Sequence, residues 1–386
     1  MDRKTASKQV ITSYQAFTIL YSTLFGAGVL SLPRSVGESA GNDMVWVIIL
    51  SGGVVAILVY LMTKLCQRFP GMTLIQFAPY ILGSKRRKQV GYFLGLPFLI
   101  LVALFFVMGI SSVVRIFGET VVTTMLPRTP VEIVMLLFLL AGAFGAGSDL
   151  GVVAKLNEFL FPITLIPFLS MIFALFQSGE ITNVLPLFQL DPSVLPKALM
   201  GGAFAFAGFQ VIMIFSGFYQ EPEKMNKTHM TAILAVIISY WYLCAIPLSV
   251  FGIDEVKNLM FPVLEVAKVV KMTDILFERI EAGILSIWLV AGYTSVVNLY
   301  SALVQIIIEF FRLSEKYRRY IAFLLVPVFL YLALIPDNTQ EVGIYSNWIG
   351  LYDAAISIVI PVILLLVAVI RKRKGEVHDE AQSSPE

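Results

Sequence analysis

Two short stretches hold the residues best suited to chemistry, Leu24-Phe25-Gly26-Ala27-Gly28 and Phe206-Ala207-Gly208-Phe209. Each sets glycine inside a long apolar run. Glycine has no Cβ and accepts unwound backbone, and unwinding inside a membrane is tolerated only where the freed amides and carbonyls line a cavity or a ligand. Free N–H groups at one half-helix end, with their positive dipole, suit a carboxylate. Free carbonyls at the opposite end suit an ammonium group or a cation. The neighbouring side chains Phe25, Phe105, Phe206, Phe209 and Tyr293 are aromatic, so a small net-neutral solute, above all a zwitterionic amino acid, matches both ends at once. The expected ligand contacts are Thr23, Gly26, Ala27, Gly28, Phe105, Phe206, Ala207, Gly208, Phe209 and Tyr293. Close helix packing is the competing reason for such glycines, and it is the reading given to Gly91-x-x-x-Gly95. Breaks at matched positions of two halves favour a site. Gln210 beside the second break cannot titrate, and no other acid is expected there, so ligand binding is expected to depend little on pH.

Positioning these stretches takes a membrane fold. Of 386 residues, 58% are hydrophobic and 14% charged, with a mean hydropathy of +0.84. A soluble domain has roughly 25% charged residues, so this chain cannot clothe a globule of its size. A formal net charge of +2 offers nucleic acid nothing. Cys66 and Cys244 lie beside or inside apolar runs, and His229 and His378 lie in polar segments, a pattern that suggests neither a disulfide framework nor a metal cluster. There is no His-Glu-x-x-His and no phosphate loop, and Gly145-x-Gly147 with Gly151 has the wrong spacing for a dinucleotide. Neither a cofactor nor an enzymatic reaction is expected.

Ten segments meet the length of about 20 apolar residues that a spanning helix needs: 11–32, 45–65, 91–113, 131–147, 152–177, 198–218, 230–251, 280–308, 319–335 and 350–370. Residues 11–370 thus form one all-α membrane domain, with 1–10 a short N-terminal extension and 371–386 a tail expected to be disordered. The first segment lacks a signal-peptide cleavage site and is expected to be retained. Lys and Arg collect in alternate loops, at Lys85 to Lys88, Arg312 to Arg319 and Arg371 to Lys374, which puts both termini in the cytoplasm. Five segments in each half then have opposite orientation, a 5+5 inverted repeat whose first members, segments 1 and 6, are the broken ones. In the outer loop after segment 7, Pro262-Val-Leu-Glu-Val-Ala-Lys-Val-Val-Lys has helical amphipathic spacing, expected as a surface helix or a turn within a loop.

Charges inside the segments call for partners, since each costs roughly 2.5–3.5 kcal/mol at the bilayer centre. Arg115 and Glu119 are four apart, on one helical face, and are expected to pair. Lys155 and Glu158 open segment 5, either as a fixed cation facing the first break or as snorkelling chains. Thr294 and Ser295 suit helix-to-helix hydrogen bonds, and Glu309 suits the interface.

The run Leu24-Phe25-Gly26-Ala27-Gly28-Val29-Leu30-Ser31-Leu32-Pro33-Arg34 resembles the first-helix signature of the endospore germination permeases, the B-type subunits of nutrient germinant receptors. Arg128-Thr129-Pro130, Phe206-x-Gly208, Glu278-Arg279-Ile280-Glu281 and Pro336-Asp337-Asn338 with Tyr345-Ser346 extend the likeness over nearly the whole chain. The resemblance implies an amino acid–polyamine–organocation fold in the spore inner membrane, with an A-type membrane subunit and a C-type lipoprotein as partners. It also implies a germinant pocket at Gly26, Phe105, Ala207, Gly208 and Tyr293. The chain departs from the family's usual Glu at Gln210 and from its usual Arg at Lys155. Two functions follow: a germinant-sensing subunit, or an amino-acid transporter of the same fold.

Overall fold

In the computed structural model of the chain, residues 10–83, 88–202, 205–269 and 280–375 are described. All their regular elements are helical, and the only strand-like feature among them is a bridge between Ile11 and Tyr219. In chain order the helices are α1 (Ser13–Leu24), α2 (Leu32–Ala40), α3 (Met44–Gln67), α4 (Leu74–Leu82), α5 (Lys88–Thr124), α6 (Val131–Ala146), α7 (Leu150–Thr164) and α8 (Ile166–Ser178). They continue with α9 (Leu195–Gly201), α10 (Ile212–Phe215), α11 (Met225–Asn258), α12 (Pro262–Val269), α13 (Ile280–Phe311), α14 (Arg318–Ala333) and α15 (Thr339–Ile370).

Among the described residues, six stretches are long and apolar enough to cross a membrane: Leu32–Gln67, Gln89–Thr124, Leu150–Ser178, Pro222–Asn258, Leu285–Phe311 and Gln340–Ile370. Val131–Ala146 and Phe209–Phe218 are shorter apolar helical stretches. The fifth expected segment is divided at Leu165, between Pro162 and Pro167, into α7 and α8, because each proline lacks the N–H an unbroken helix needs. The third, seventh and tenth run longer than expected.

Both glycine stretches interrupt their helices. A capping box starts α1: Thr12 Oγ1 accepts from the Gln15 N–H at 3.2 Å, and Gln15 Oε1 accepts from the Thr12 N–H at 3.1 Å. The helix stops at Leu24, and a 3₁₀ turn (Ala27–Val29) leads into α2, whose first turn contains Pro33. In the other half, α9 ends at Gly201, and the chain turns through Gly208 at φ +113°. A side chain rarely adopts that conformation, which is why glycine stands there. A 3₁₀ turn and the single turn of α10 complete this segment.

Three expectations about the periphery meet the structure here. α12 forms as an amphipathic helix: its Val263, Leu264, Val266 and Ala267 are buried against α8, α11 and α13, while Lys268 on its other face is exposed. Its apolar stripe finds helices to pack on. The first residues of the tail are held, not disordered: Arg371 donates to the Leu82 carbonyl at 2.7 Å, Arg373 to that of Gly83 at 2.9 Å, and Arg68 to that of Arg373 at 2.6 Å. These arginines satisfy the open carbonyls at the end of α4. Residues 1–9, 270–279 and 376–386 lie outside the described residues. Gly91 and Gly95 do let α5 press onto α4, since a Cβ at Gly91 would meet the Pro79 carbonyl and one at Gly95 would lie 3.3 Å from the Pro79 ring.

Candidate functional site

The two breaks meet at the centre of the bundle, and a few polar side chains hold their open backbone. The Tyr240 hydroxyl of α11 lies 2.6 Å from the carbonyl oxygens of both Leu24 and Ala205, one from each broken segment. From α13, Ser295 Oγ donates to the Thr23 carbonyl at 2.8 Å. Asn298 Nδ2, one turn further on, donates to Thr23 Oγ1 at 3.0 Å and to the Ile19 carbonyl at 3.2 Å. Asn298 and Asn157 of α7 exchange amide hydrogen bonds at 2.7 and 2.9 Å. All of these groups are buried, so each bond replaces one that water cannot supply. At one end of the bundle the broken segments are tied directly. The Gln220 N–H donates to the Ile11 carbonyl at 2.9 Å, and Ser13 Oγ to Glu221 at 2.7 Å. Lys224 and Ser13 hold the Glu221 carboxyl below its ordinary value by hydrogen bonding to the ionised form.

Between the breaks lies a cavity of about 20 Å³, lined by Thr23, Leu24, Gly28, Phe105, Gly109, Val113, Ala205, Ala207, Ser295, Leu299 and Ile349. That is room for about one water. Of the expected contacts, Thr23, Gly28, Phe105 and Ala207 are brought together there. Gly26 faces a neighbouring void with Phe25, Val29, Leu30, Phe117, Trp288 and Ala291. The indole N–H of Trp288 is buried there without a hydrogen-bond partner. Gly208 lies close to Thr23 and Leu299. The backbone of Ala27 opens the 3₁₀ turn, and its side chain lies outside the described residues.

Three expected contacts are placed elsewhere. Phe206 packs edge-on to Tyr240 with ring centres 4.8 Å apart. Phe209 is buried but does not line the cavity. The Tyr293 hydroxyl lies beside Gly145 of α6, where an added Cβ would come within 2.9 Å of it. Two residues along a helix turn the side chain by roughly 200°, so with Ser295 facing the break, Tyr293 faces away. Tyr240, Asn298 and Trp288 were missed. Polar groups in apolar helices were the signal for the first two.

Arg115 and Glu119 pair at 2.9 Å and are buried, as their spacing predicts. Lys155 is exposed, and no hydrogen bond joins it to the first break. Glu158 accepts from Gln15 Nε2 at 2.8 Å near the start of α1. Ser295 makes the helix-to-helix bond expected of it, whereas Thr294 bonds within α13, to the Ala291 carbonyl at 2.8 Å. Glu309, at the end of α13, accepts from Thr73 and from Gln305.

The expectation that no acid stands at the breaks is overturned by Asp353. It projects from α15, is 3% exposed, and accepts from Gln210 Nε2. A separation of 143 residues hid this pairing.

The chain is similar to known proteins over most of its length. The model of a spore permease family, described as "Spore germination protein", matches residues 10–342. Spore germination protein B2 of Bacillus subtilis (strain 168) is 26% identical over 374 residues, covering 96% of this chain and 98% of its own. Spore germination protein GerLB of Bacillus cereus is 24% identical over 357 residues, covering 92% and 93%. Among solved structures, MhsT in complex with L-phenylalanine shares the fold at a TM-score of 0.62 and 14% identity, over 94% of this chain and 99% of that one. Mhp1, a nucleobase-cation-symport-1 family transporter in a closed conformation with bromovinylhydantoin bound, does so at 0.68 and 13%, over 98% and 84%.

Proposed function

The chain belongs to the spore germination permease family and is an integral membrane protein, and from that premise we propose that it is the germinant-sensing membrane subunit of a spore germination receptor. Its ligand is a small solute, most simply an amino acid, held between the two breaks. The observation that carries this reading is the convergence of both interrupted segments on one cavity, with Thr23, Gly28 and Ala207 in its wall. Open backbone of opposite polarity at the breaks suits the two ends of a zwitterion. The site acts by binding and not by catalysis.

The fold is read as ten spans in a 5+5 inverted repeat. Both termini face the cytoplasm, and the membrane is the spore inner membrane. An A-type membrane subunit and a C-type lipoprotein are the partners that the family resemblance implies. A cavity of about 20 Å³ cannot hold an amino acid as it stands, so binding has to part the helices. Ligand affinity then pays directly into a conformational shift, as a sensor requires. A transporter of the same fold is the second reading, favoured by the likeness in fold to Mhp1, a nucleobase-cation-symport-1 family transporter.

The test is germination of spores lacking this gene across amino acids, sugars and nucleosides, together with labelled amino-acid uptake into liposomes holding the purified protein. Loss of response to a particular amino acid without uptake supports the sensor. Uptake with unimpaired germination would replace it by the transporter.

A further inference from the structure

Asp353 is a buried acid in neutral company. Its hydrogen-bond partner among the described residues is Gln210 Nε2, and the same Gln210 nitrogen also donates to Ser357 Oγ at 2.6 Å. The charged groups on the elements packed against α15 are engaged or exposed. On α5, Arg115 holds Glu119 at 2.9 Å. Before α3, Asp43 accepts from the amides of Phe188 and Leu190. At the far end of α3, Lys64 reaches Gln67 at 3.5 Å and Arg68 donates to Arg373. Lys197 of α9 is exposed, as are Tyr60, Tyr80 and Tyr92 on α3, α4 and α5. Glu341 of α15 itself accepts from the amide of Asp337 at 2.9 Å. Among the described residues no cation bonds to Asp353.

A carboxylate in such a place is a buried charge with no cation bonded to it among the described residues. The Gln210 amide nitrogen serves two acceptors, Asp353 and Ser357, while its Oε1 is buried with no partner among the described residues.

We propose that Asp353, with Gln210 and Ser357, is a proton-binding site that ties the state of the second helix break to pH. The step is the transfer of one proton from solvent to a carboxylate oxygen of Asp353, which takes the group from −1 to neutral. Neutral Asp353 is the weaker acceptor for the Gln210 amide, so protonation loosens α15 from the turn at Gly208 and Gln210. The germination arm of the test rests on the proposed germinant site; the spectroscopic arm does not.

The measurement is infrared difference spectroscopy of the purified full-length protein in lipid nanodiscs, stepped in pH and read at the C=O stretch of protonated carboxylic acids. A band that grows as pH falls, shifts in heavy water and vanishes in Asp353→Asn is the expected result. The same band persisting in Asp353→Asn overturns the assignment. Gln210→Leu keeps the acid and removes an amide donor to its ionised form, so the band should titrate at higher pH; an unmoved titration overturns the coupling to Gln210, and this variant carries the test if Asp353→Asn does not insert. In spores with this receptor alone, the half-maximal germinant concentration should move with pH by up to about tenfold per unit, the limit for one linked proton, and stay flat in Asp353→Asn. A band lost in Asp353→Asn beside a native response already flat with pH keeps the proton site and overturns its tie to ligand binding.

Discussion

Ser295 packs so closely on Gly26 that no Cβ fits between them. A Cβ on Gly26 would fall 2.5 Å from Ser295 Oγ and 2.6 Å from its Cβ, while that same Oγ bonds the Thr23 carbonyl at 2.8 Å. The first break is therefore shaped by a side chain from α13 as much as by its own glycine. Gly26→Leu should abolish the germinant response with the protein still inserted. Gly26→Ala should impair it, and Ser295→Gly in the same chain should restore part of it by vacating the space. Germination assays at matched membrane levels check this, and a normal response from Gly26→Leu spores removes Gly26 from the site.

Ala207 and Phe105 face the same small cavity and should set the size of the ligand. Ala207→Val should weaken the response to larger amino acids more than to alanine or glycine, because an apolar pocket discriminates by steric clash. Dose–response curves for a graded series of amino acids provide the readout. An equal loss for every ligand means that Ala207 only packs the helices.

Tyr240→Phe keeps the ring that packs on Phe206 and removes the hydroxyl facing two carbonyls. Leaving the buried Ala205 carbonyl unpartnered costs about 1–3 kcal/mol, while the Leu24 carbonyl keeps the Gly26 N–H at 2.8 Å. The expected outcome is a lower unfolding temperature in detergent together with a blunted response. A variant as stable as the native protein would show that the Ala205 carbonyl is satisfied by other means.

The Asn157–Asn298 pair joins α7 to α13 and, through Thr23, to α1. Each amide truncated alone leaves its partner unsatisfied, whereas truncating both removes the mismatch. Asn157→Leu and Asn298→Leu should therefore be strongly non-additive in thermal stability, with the double variant less destabilised than the sum. Simple additivity in a double-mutant cycle argues against a direct bond.

Arg115 and Glu119 are nearly enclosed and closed on each other. Removing one partner strands a buried charge, at a cost of about 3–5 kcal/mol, while replacing both with apolar residues is far milder. Glu119→Gln should lower the amount of folded protein in the membrane more than the double change Arg115→Leu with Glu119→Leu. Equal yields of the two would place the pair in solvent.

Much of the fold was legible in the chain. Composition requires a membrane protein, the apolar runs locate the principal helices, and glycines mark both interruptions, because Gly208 at φ +113° needs a residue without Cβ. Arg115 and Glu119 pair as a spacing of four dictates. These are local properties, fixed by backbone sterics and by the cost of charge in hydrocarbon. Which faces of the helices meet is not local. Lipid tails are as apolar as a protein interior, so α13 shows little in its pattern to say that Ser295 and Asn298 face the first break while Tyr293 turns toward Gly145. Nor could spacing bring Asp353 to Gln210, or Tyr240 to Leu24, across 143 and 216 residues. Tertiary structure alone decided those meetings, because a buried polar group settles where packing leaves it a partner.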